Sequence, residues 1–189
     1  FVLWEDRKFA DIGATVATQY GGGVFRIADW APLVNAHISP GPGIVAGLKQ
    51  VANRCSEPRG CLLIAQLSTD GNLIPAEYAR EAYRLAVENR DYVIGFVAQR
   101  KITLDPTLLC ITPGIKIVAK EAGDGLGQQY NSPEDAIVNR GADIIVVGRG
   151  IIAKLTTASD GNSGDNDQAI VEATTLYRQR GYDAYLNTL

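Results

Sequence analysis

The densest charge in this chain sits in one short segment, Glu5-Asp6-Arg7-Lys8-Phe9-Ala10-Asp11. It follows the apolar run Phe1–Trp4 and precedes a helical pattern. Asp6 and Lys8 are two residues apart, so on extended backbone they project to the same side. Asp11 opens the following helix. In α/β folds, chemistry gathers at the carboxyl ends of strands. A lysine held among carboxylates is a positioned cation and proton donor rather than a Schiff-base nucleophile. The same residues also read as a solvated charged turn with Asp11 as a helix cap only, and spacing alone does not choose.

Four further segments carry groups that could bind a ligand. The run Ile144-Ile145-Val146-Val147 enters Gly148-Arg149-Gly150, where glycines let backbone N–H groups approach an anion and the arginine adds a fork of donors. Thr112-Pro113-Gly114 follows another apolar run. Beyond it, Gly123–Tyr130 (GDGLGQQY), with Gln128 and Tyr130, is a loop rich in glycine and polar donors, suited to closing over a polar ligand. Ser68 lies in Gln66-Leu67-Ser68-Thr69-Asp70-Gly71, which reads equally as a hydrogen-bonded turn. His37, the one histidine, sits beside Asn35 and fits an interior hydrogen-bonded role.

The elements that must position these groups are visible as alternating patterns. Apolar runs occur at Phe1–Trp4, Leu33–Ala36, Cys61–Leu67, Val93–Val97, Leu108–Ile111 and Ile144–Val147. Near-continuous hydrophobicity suits parallel strands buried on both faces. Helices are expected over Ile12–Tyr20, capped by Asp11, over Ile44–Asn53, over Pro75–Asn89, from Ser132-Pro133 to Gly141, and over Gln168–Gly181, with a short tail Tyr182–Leu189. Thr156–Asp167 is expected as a polar surface-loop insertion. The alternation indicates βαβ units. Six strands fit either an open doubly wound sheet or a (β/α)8 barrel lacking two units, since a barrel needs eight and typically about 250 residues.

Composition narrows the class. With 189 residues, 46% hydrophobic and 21% charged, the chain fits a single globular domain. A net charge of −3 argues against nucleic acid as the main partner. No apolar stretch reaches the roughly 18 residues of a membrane span. Three cysteines, Cys55, Cys61 and Cys110, form no C-x-x-C pair and suit a reducing compartment. One histidine disfavours a His-rich zinc site. The chain begins with Phe1 and contains no methionine, so further sequence is expected before Phe1.

Together these segments resemble orotidine 5′-monophosphate decarboxylases of the fungal and animal type. The D-x-K-x-x-D signature matches Asp6, Lys8 and Asp11 within WEDRKFADIG. The likeness continues through VNAH (Val34–His37), GPGIV (Gly41–Val45), LLIAQLS (Leu62–Ser68), TPG (Thr112–Gly114), LGQQYNSP (Leu126–Pro133) and VGRG (Val147–Gly150), in the family's order. The resemblance implies a TIM (β/α)8 barrel, of which residues 1–189 carry about six units as one partial domain. It implies decarboxylation of orotidine 5′-monophosphate to uridine 5′-monophosphate, without metal or organic cofactor, in a cytoplasmic homodimer. Lys8 would protonate C6, Asp6 would orient Lys8, and Asp11, with Ile12 and Thr15, would reach the partner subunit's site. Ser68 and Gln128 would hold the pyrimidine and Pro113 would line its pocket. Gln128, Tyr130, Arg149 and the Gly148–Gly150 backbone would grip the phosphate.

This sequence departs from the family in lacking its first-strand ribose-binding aspartate and its K-T-H-x-D lysine, which implies that the first two βα units are absent from it. Ala14 stands where the family commonly has asparagine, and the 156–167 insertion is longer than usual. Two other readings remain open at this point: a Mg²⁺-dependent sugar-phosphate decarboxylase or aldolase of the same barrel group, and a non-catalytic phosphate-binding dimerisation module.

Overall fold

A computed structural model describes residues 1–117, 125–156 and 163–189. The chain divides into two compact units. Unit 1 comprises Phe1–Leu67, Ile74–Val97 and Ile102–Leu109, and unit 2 comprises Ser68–Leu73, Ala98–Lys101 and Cys110–Leu189.

In unit 1, strands β1 (Trp4–Phe9), β2 (Leu33–His37), β3 (Gly60–Ile64) and β4 (Val93–Val97) pair in parallel and in chain order. β3 is buried along its whole length, as its unbroken apolar run requires. It is shorter than the expected Cys61–Leu67, because the N–H groups of both Ala65 and Gln66 turn onto the Val97 carbonyl. The first strand differs more. It runs from Trp4 to Phe9, while Phe1, Val2 and Leu3 are exposed. The charged cluster is therefore strand rather than the turn after one. Its register against β2 shifts between Glu5 and Lys8, a bulge that re-aims side chains locally.

Helices α1 (Gly13–Gly21) and α3 (Gly43–Ala52) cross at very short range. A Cβ on Gly13 would lie 2.4 Å from the Gly43 carbonyl oxygen, and one on Gly47 would lie 2.2 Å from the Gly13 carbonyl oxygen. The buried Val16, Tyr20, Ile44 and Leu48 line these helices, with the Tyr20 ring edge-on to Phe9 at 5.8 Å. The expected Asp11 cap is replaced by Ile12, which caps through no side-chain bond, while Asp11 Oδ1 accepts from the Ile12 N–H at 2.7 Å. A four-residue helix α2 (Ile27–Trp30) was not apparent from periodicity, being about one turn long. It is fastened by Arg26 Nε donating to Asp29 at 2.7 Å and Trp30 Nε1 donating to the Phe25 carbonyl at 3.0 Å. α4 (Glu77–Glu88) presents the Tyr78 hydroxyl oxygen to the N–H groups of Ile38 and Ser39 at 2.8 and 3.0 Å, fixing the chain just beyond β2.

β5 (Leu109–Thr112), which belongs to unit 2 from Cys110 onward, pairs in parallel with the short β6 (Ile144–Ile145) of that unit. Ser132 Oγ accepts from the Asp135 N–H at 3.1 Å, the expected cap, but the helix it starts contains a π-helical turn, Asp135–Asn139. α5 spans Arg149–Thr156 and α6 spans Ser163–Leu186. α6 thus absorbs most of the expected tail and also Ser163–Asp167 of the expected insertion; residues 157–162 of that insertion lie outside the described residues. Tyr177 and Ala184 of α6 pack with Ile115, Ala136, Ile137 and Ala142. Arg180 clamps Glu134 through two hydrogen bonds of 2.6 and 2.8 Å, and this pair holds the Glu134 carboxyl below its ordinary range. No helix among the described residues is long and apolar enough to cross a membrane.

The α1–α3 crossing yields a test whose sign opposes helix propensity. Alanine normally stabilises a helix interior relative to glycine by about 0.8–1 kcal/mol. Gly47→Ala is instead expected to lower unfolding free energy by roughly 1–3 kcal/mol, because its methyl group meets rigid backbone. Chemical denaturation at constant m-value measures this.

Candidate active site

Unit 1 gathers one group of polar side chains around the bulged strand β1. Lys8 Nζ donates to Asp6 Oδ1 at 2.9 Å and lies 3.4 Å from the Asp6 carbonyl oxygen. The two-residue spacing therefore does put both on one side. Asp6 Oδ1 also accepts from Asn35 Nδ2 at 2.6 Å. Asn35 is fully buried in the middle of β2, and among the described residues its Oδ1 has no hydrogen-bond partner. An unpaired buried oxygen costs roughly 1–3 kcal/mol, which offsets much of what the Asn35–Asp6 hydrogen bond contributes. The sequence signal for it was a lone amide in the otherwise apolar strand LVNAH.

His37 ends β2 and is half-buried, with no side-chain hydrogen bond among the described residues. Burial lowers its pKa, and the Lys8 charge lowers it further. Asp11 is exposed, Ile12 is 62% exposed, and Thr15 is half-buried on α1. Among the described residues, no hydrogen bond or ion pair joins these three to the Asp6–Lys8 pair.

Unit 2 gathers a second group. Ser68 Oγ donates to Gln128 Oε1 at 3.2 Å, while Gln128 Nε2 donates to the Gln129 carbonyl at 2.6 Å. The backbone reinforces this pairing, with Gln129 N–H to Ser68 O at 2.9 Å and Asp70 N–H to Gly127 O at 2.8 Å. Gly127 has φ +94°, and a Cβ there would lie 2.8 Å from Thr69 Oγ1, so this approach requires glycine. The Pro113 carbonyl accepts from Gln99 Nε2 at 3.2 Å, and Gln99 Oε1 accepts from the buried Asn131 at 3.2 Å.

Tyr130 is 7% exposed. The Arg149 guanidinium stands 5.4 Å from its ring centroid and Lys116 Nζ stands 4.9 Å from the same centroid. Arg149 opens α5 and Gly148 precedes it, exposed, its carbonyl accepting from Ile151 and Ile152. The expected Gly-Arg-Gly turn is thus a helix N-terminus, where free N–H groups and the helix dipole favour anions. Gly150 packs on Tyr177, whose hydroxyl oxygen would lie 2.3 Å from an added Cβ. Nothing in the sequence distinguishes Lys116, a lone lysine in Gly114-Ile115-Lys116-Ile117; residues 118–124, which include Gly123 and Asp124 of the GDGLGQQY segment, lie outside the described residues.

The cysteines carry no sign of chemistry. Burial pushes the Cys61 thiol up to about 12 and the Cys110 thiol up to about 11. Cys55 is half-buried and free. Among the described residues, no group of three or more His, Cys, Asp or Glu is arranged to hold a metal ion.

The His37 environment can be read directly. Its imidazole is expected to titrate below the ordinary midpoint near 6.5. Lys8→Ala removes a repelling charge and is expected to move the midpoint up. Proton-NMR titration of the single histidine checks both; an unmoved midpoint would separate Lys8 from His37.

Comparison with known proteins places this geometry in context. The family model for orotidine 5′-phosphate decarboxylase / HUMPS proteins matches residues 1–160. Uridine 5′-monophosphate synthase from Bos taurus is 46% identical over 189 residues, covering all of this chain and 36% of that protein. Orotidine 5′-phosphate decarboxylase from Saccharomyces cerevisiae is 47% identical over 190 residues, covering 98% of this chain and 66% of that protein. The chain therefore spans between about a third and two thirds of the length of these relatives. The crystal structure of orotidine 5′-phosphate decarboxylase from Lactobacillus acidophilus superposes with a TM-score of 0.58 at 20% identity, over 92% of this chain and 75% of that one. That likeness shows the fold: the chain's parallel strands and helices are part of a TIM barrel, with six strands among the described residues. On the match of its first 160 residues and its full-length identity to curated members, the chain belongs to the orotidine 5′-phosphate decarboxylase / HUMPS family.

Proposed function

We propose that the protein carrying this chain decarboxylates orotidine 5′-monophosphate to uridine 5′-monophosphate, with Lys8 as the proton donor. The observation that carries this reading is the 2.9 Å Lys8–Asp6 pair on the family-matched strand β1. In the reaction the bond from C6 to the carboxylate carbon breaks and carbon dioxide leaves. The electron pair stays on C6, and the Nζ proton moves there. A fixed ammonium stabilises that developing charge without reorganising, which water cannot do. Asp6 holds the ammonium in place, and no metal or organic cofactor is required for these steps.

The remaining roles follow the family resemblance. Ser68 and Gln128 hydrogen-bond the pyrimidine, and Pro113 lines its pocket. Gln128, Tyr130, Arg149 and the Gly148–Gly150 backbone hold the phosphate. Charge-assisted hydrogen bonds contribute roughly 1.5–3 kcal/mol each. Three or four of them supply a large part of the ~8–23 kcal/mol that enzymes remove from a barrier. Being remote from C6, they help organise the site rather than do chemistry. The exposed Asp11, Ile12 and the adjacent Thr15 supply the partner subunit's site in a homodimer. Three unpaired cysteines fit a reducing, cytoplasmic setting.

The complete protein is expected to turn over orotidine 5′-monophosphate in the presence of EDTA; absence of turnover would remove this reading. Lys8→Ala is expected to lower kcat/KM by at least about a thousandfold, at the scale of a lost acid catalyst. Affinity for uridine 5′-monophosphate should persist. Near-normal turnover in that variant would exclude Lys8 as the donor.

A further inference from the structure

Lys116 is held in place more firmly than a surface lysine usually is. Ile115 forms a parallel bridge with Asn131, and the Lys116 N–H donates to the Asn131 carbonyl at 3.0 Å. On the other side, the Ile117 N–H donates to the Tyr177 hydroxyl oxygen at 2.9 Å. That hydroxyl also abuts Gly150 in the first turn of α5. The backbone around Lys116 is thereby tied both to the residue following Tyr130 and, through Tyr177, to the helix that starts at Arg149.

The side chain then does something that its own neighbours do not reward. Lys116 Nζ lies 4.9 Å from the Tyr130 ring centroid, and the Arg149 guanidinium lies 5.4 Å from it. Each gains from the ring's negative face, yet two like charges brought to one ring repel each other. Among the described residues, no carboxylate pairs with Lys116. The N-terminus of α5 adds further positive potential at the same place. Two cations, a helix N-terminus and a tyrosine hydroxyl without a hydrogen bond among the described residues together favour a doubly charged anion.

We infer that Lys116 is a second cationic ligand for the 5′-phosphate of the nucleotide, acting beside Arg149, and that it sets the preference for phosphorylated over unphosphorylated ligands. This rests on the assignment of Tyr130, Arg149 and Gly148–Gly150 to the phosphate. The resemblance in sequence did not mark Lys116 for that role.

The test measures the complete protein as wild type, Lys116→Gln and Lys116→Arg. Calorimetry gives affinity for uridine 5′-monophosphate, uridine and inorganic phosphate, and turnover of orotidine 5′-monophosphate is followed in parallel. Lys116→Gln should weaken uridine 5′-monophosphate and inorganic phosphate by roughly tenfold or more, the scale of one charge-assisted bond. It should leave uridine unchanged, and Lys116→Arg should retain most of the wild-type affinity. Unchanged phosphate affinity in Lys116→Gln, or equal losses in both variants, would overturn the inference. Lys116-dependent phosphate binding in a wild type that does not turn over orotidine 5′-monophosphate would support the inference while removing the proposed reaction.

Discussion

A single ion pair on a bulged strand is the constraint around which unit 1 is organised. Lys8 and Asp6 are 45% and 60% exposed, and exposed pairs contribute at most about 1 kcal/mol. The pair therefore matters for geometry rather than stability. Asn35 fixes Asp6 from the neighbouring strand, while its own buried Oδ1 has no hydrogen-bond partner among the described residues. That arrangement depends on register. Lys8 stands opposite Asn35, and Asn35 opposite Leu62. A one-residue slip of β2 would carry Asn35 to the other face. The register in turn rests on β3, buried throughout, and on Tyr78, which fastens the chain after His37.

Unit 2 poses a different problem, the holding of polar side chains by loops. Loops hold geometry only when their backbone bonds are satisfied locally. Here Ser68–Asp70 and Gly127–Gln129 bond to each other, and Gln99 and Asn131 brace Pro113. The cationic side chains come from two separate stretches that meet at one aromatic ring. A tyrosine ring can support both because it is itself anchored, at 7% exposure.

The amino-acid sequence told its story unevenly, for physical reasons. The apolar run coincides with β4 residue for residue and with β2 to within one residue, because doubly buried parallel strands must be apolar, whereas the run Cys61–Leu67 overshoots the end of β3 by three residues. The run Phe1–Trp4 overlaps β1 at Trp4 alone, the strand starting three residues later and ending five later, because β1 carries charged residues that an apolar pattern does not reveal. Period-two spacing puts Asp6 and Lys8 on one side but leaves a solvated charged turn open, and it is the resemblance of WEDRKFADIG to the D-x-K-x-x-D signature that singles them out, whereas Asn35 acts from 29 residues away and only the fold brings it near. The Gly-Arg-Gly segment was seen as an anion-binding turn but is the first turn of a helix. Lys116 was invisible because its meaning comes from Tyr130 and Arg149, neither of which is close in sequence.

The account stands or falls on whether Lys8 carries a proton to and from C6. By microscopic reversibility, the same group should exchange that proton in the product. Proton NMR of uridine 5′-monophosphate incubated in D₂O with the complete protein measures this. The wild type should exchange the C6 hydrogen for deuterium, and Lys8→Ala should not exchange it above the uncatalysed rate. Equal exchange by both proteins would contradict the assignment of Lys8, and with it the mechanism.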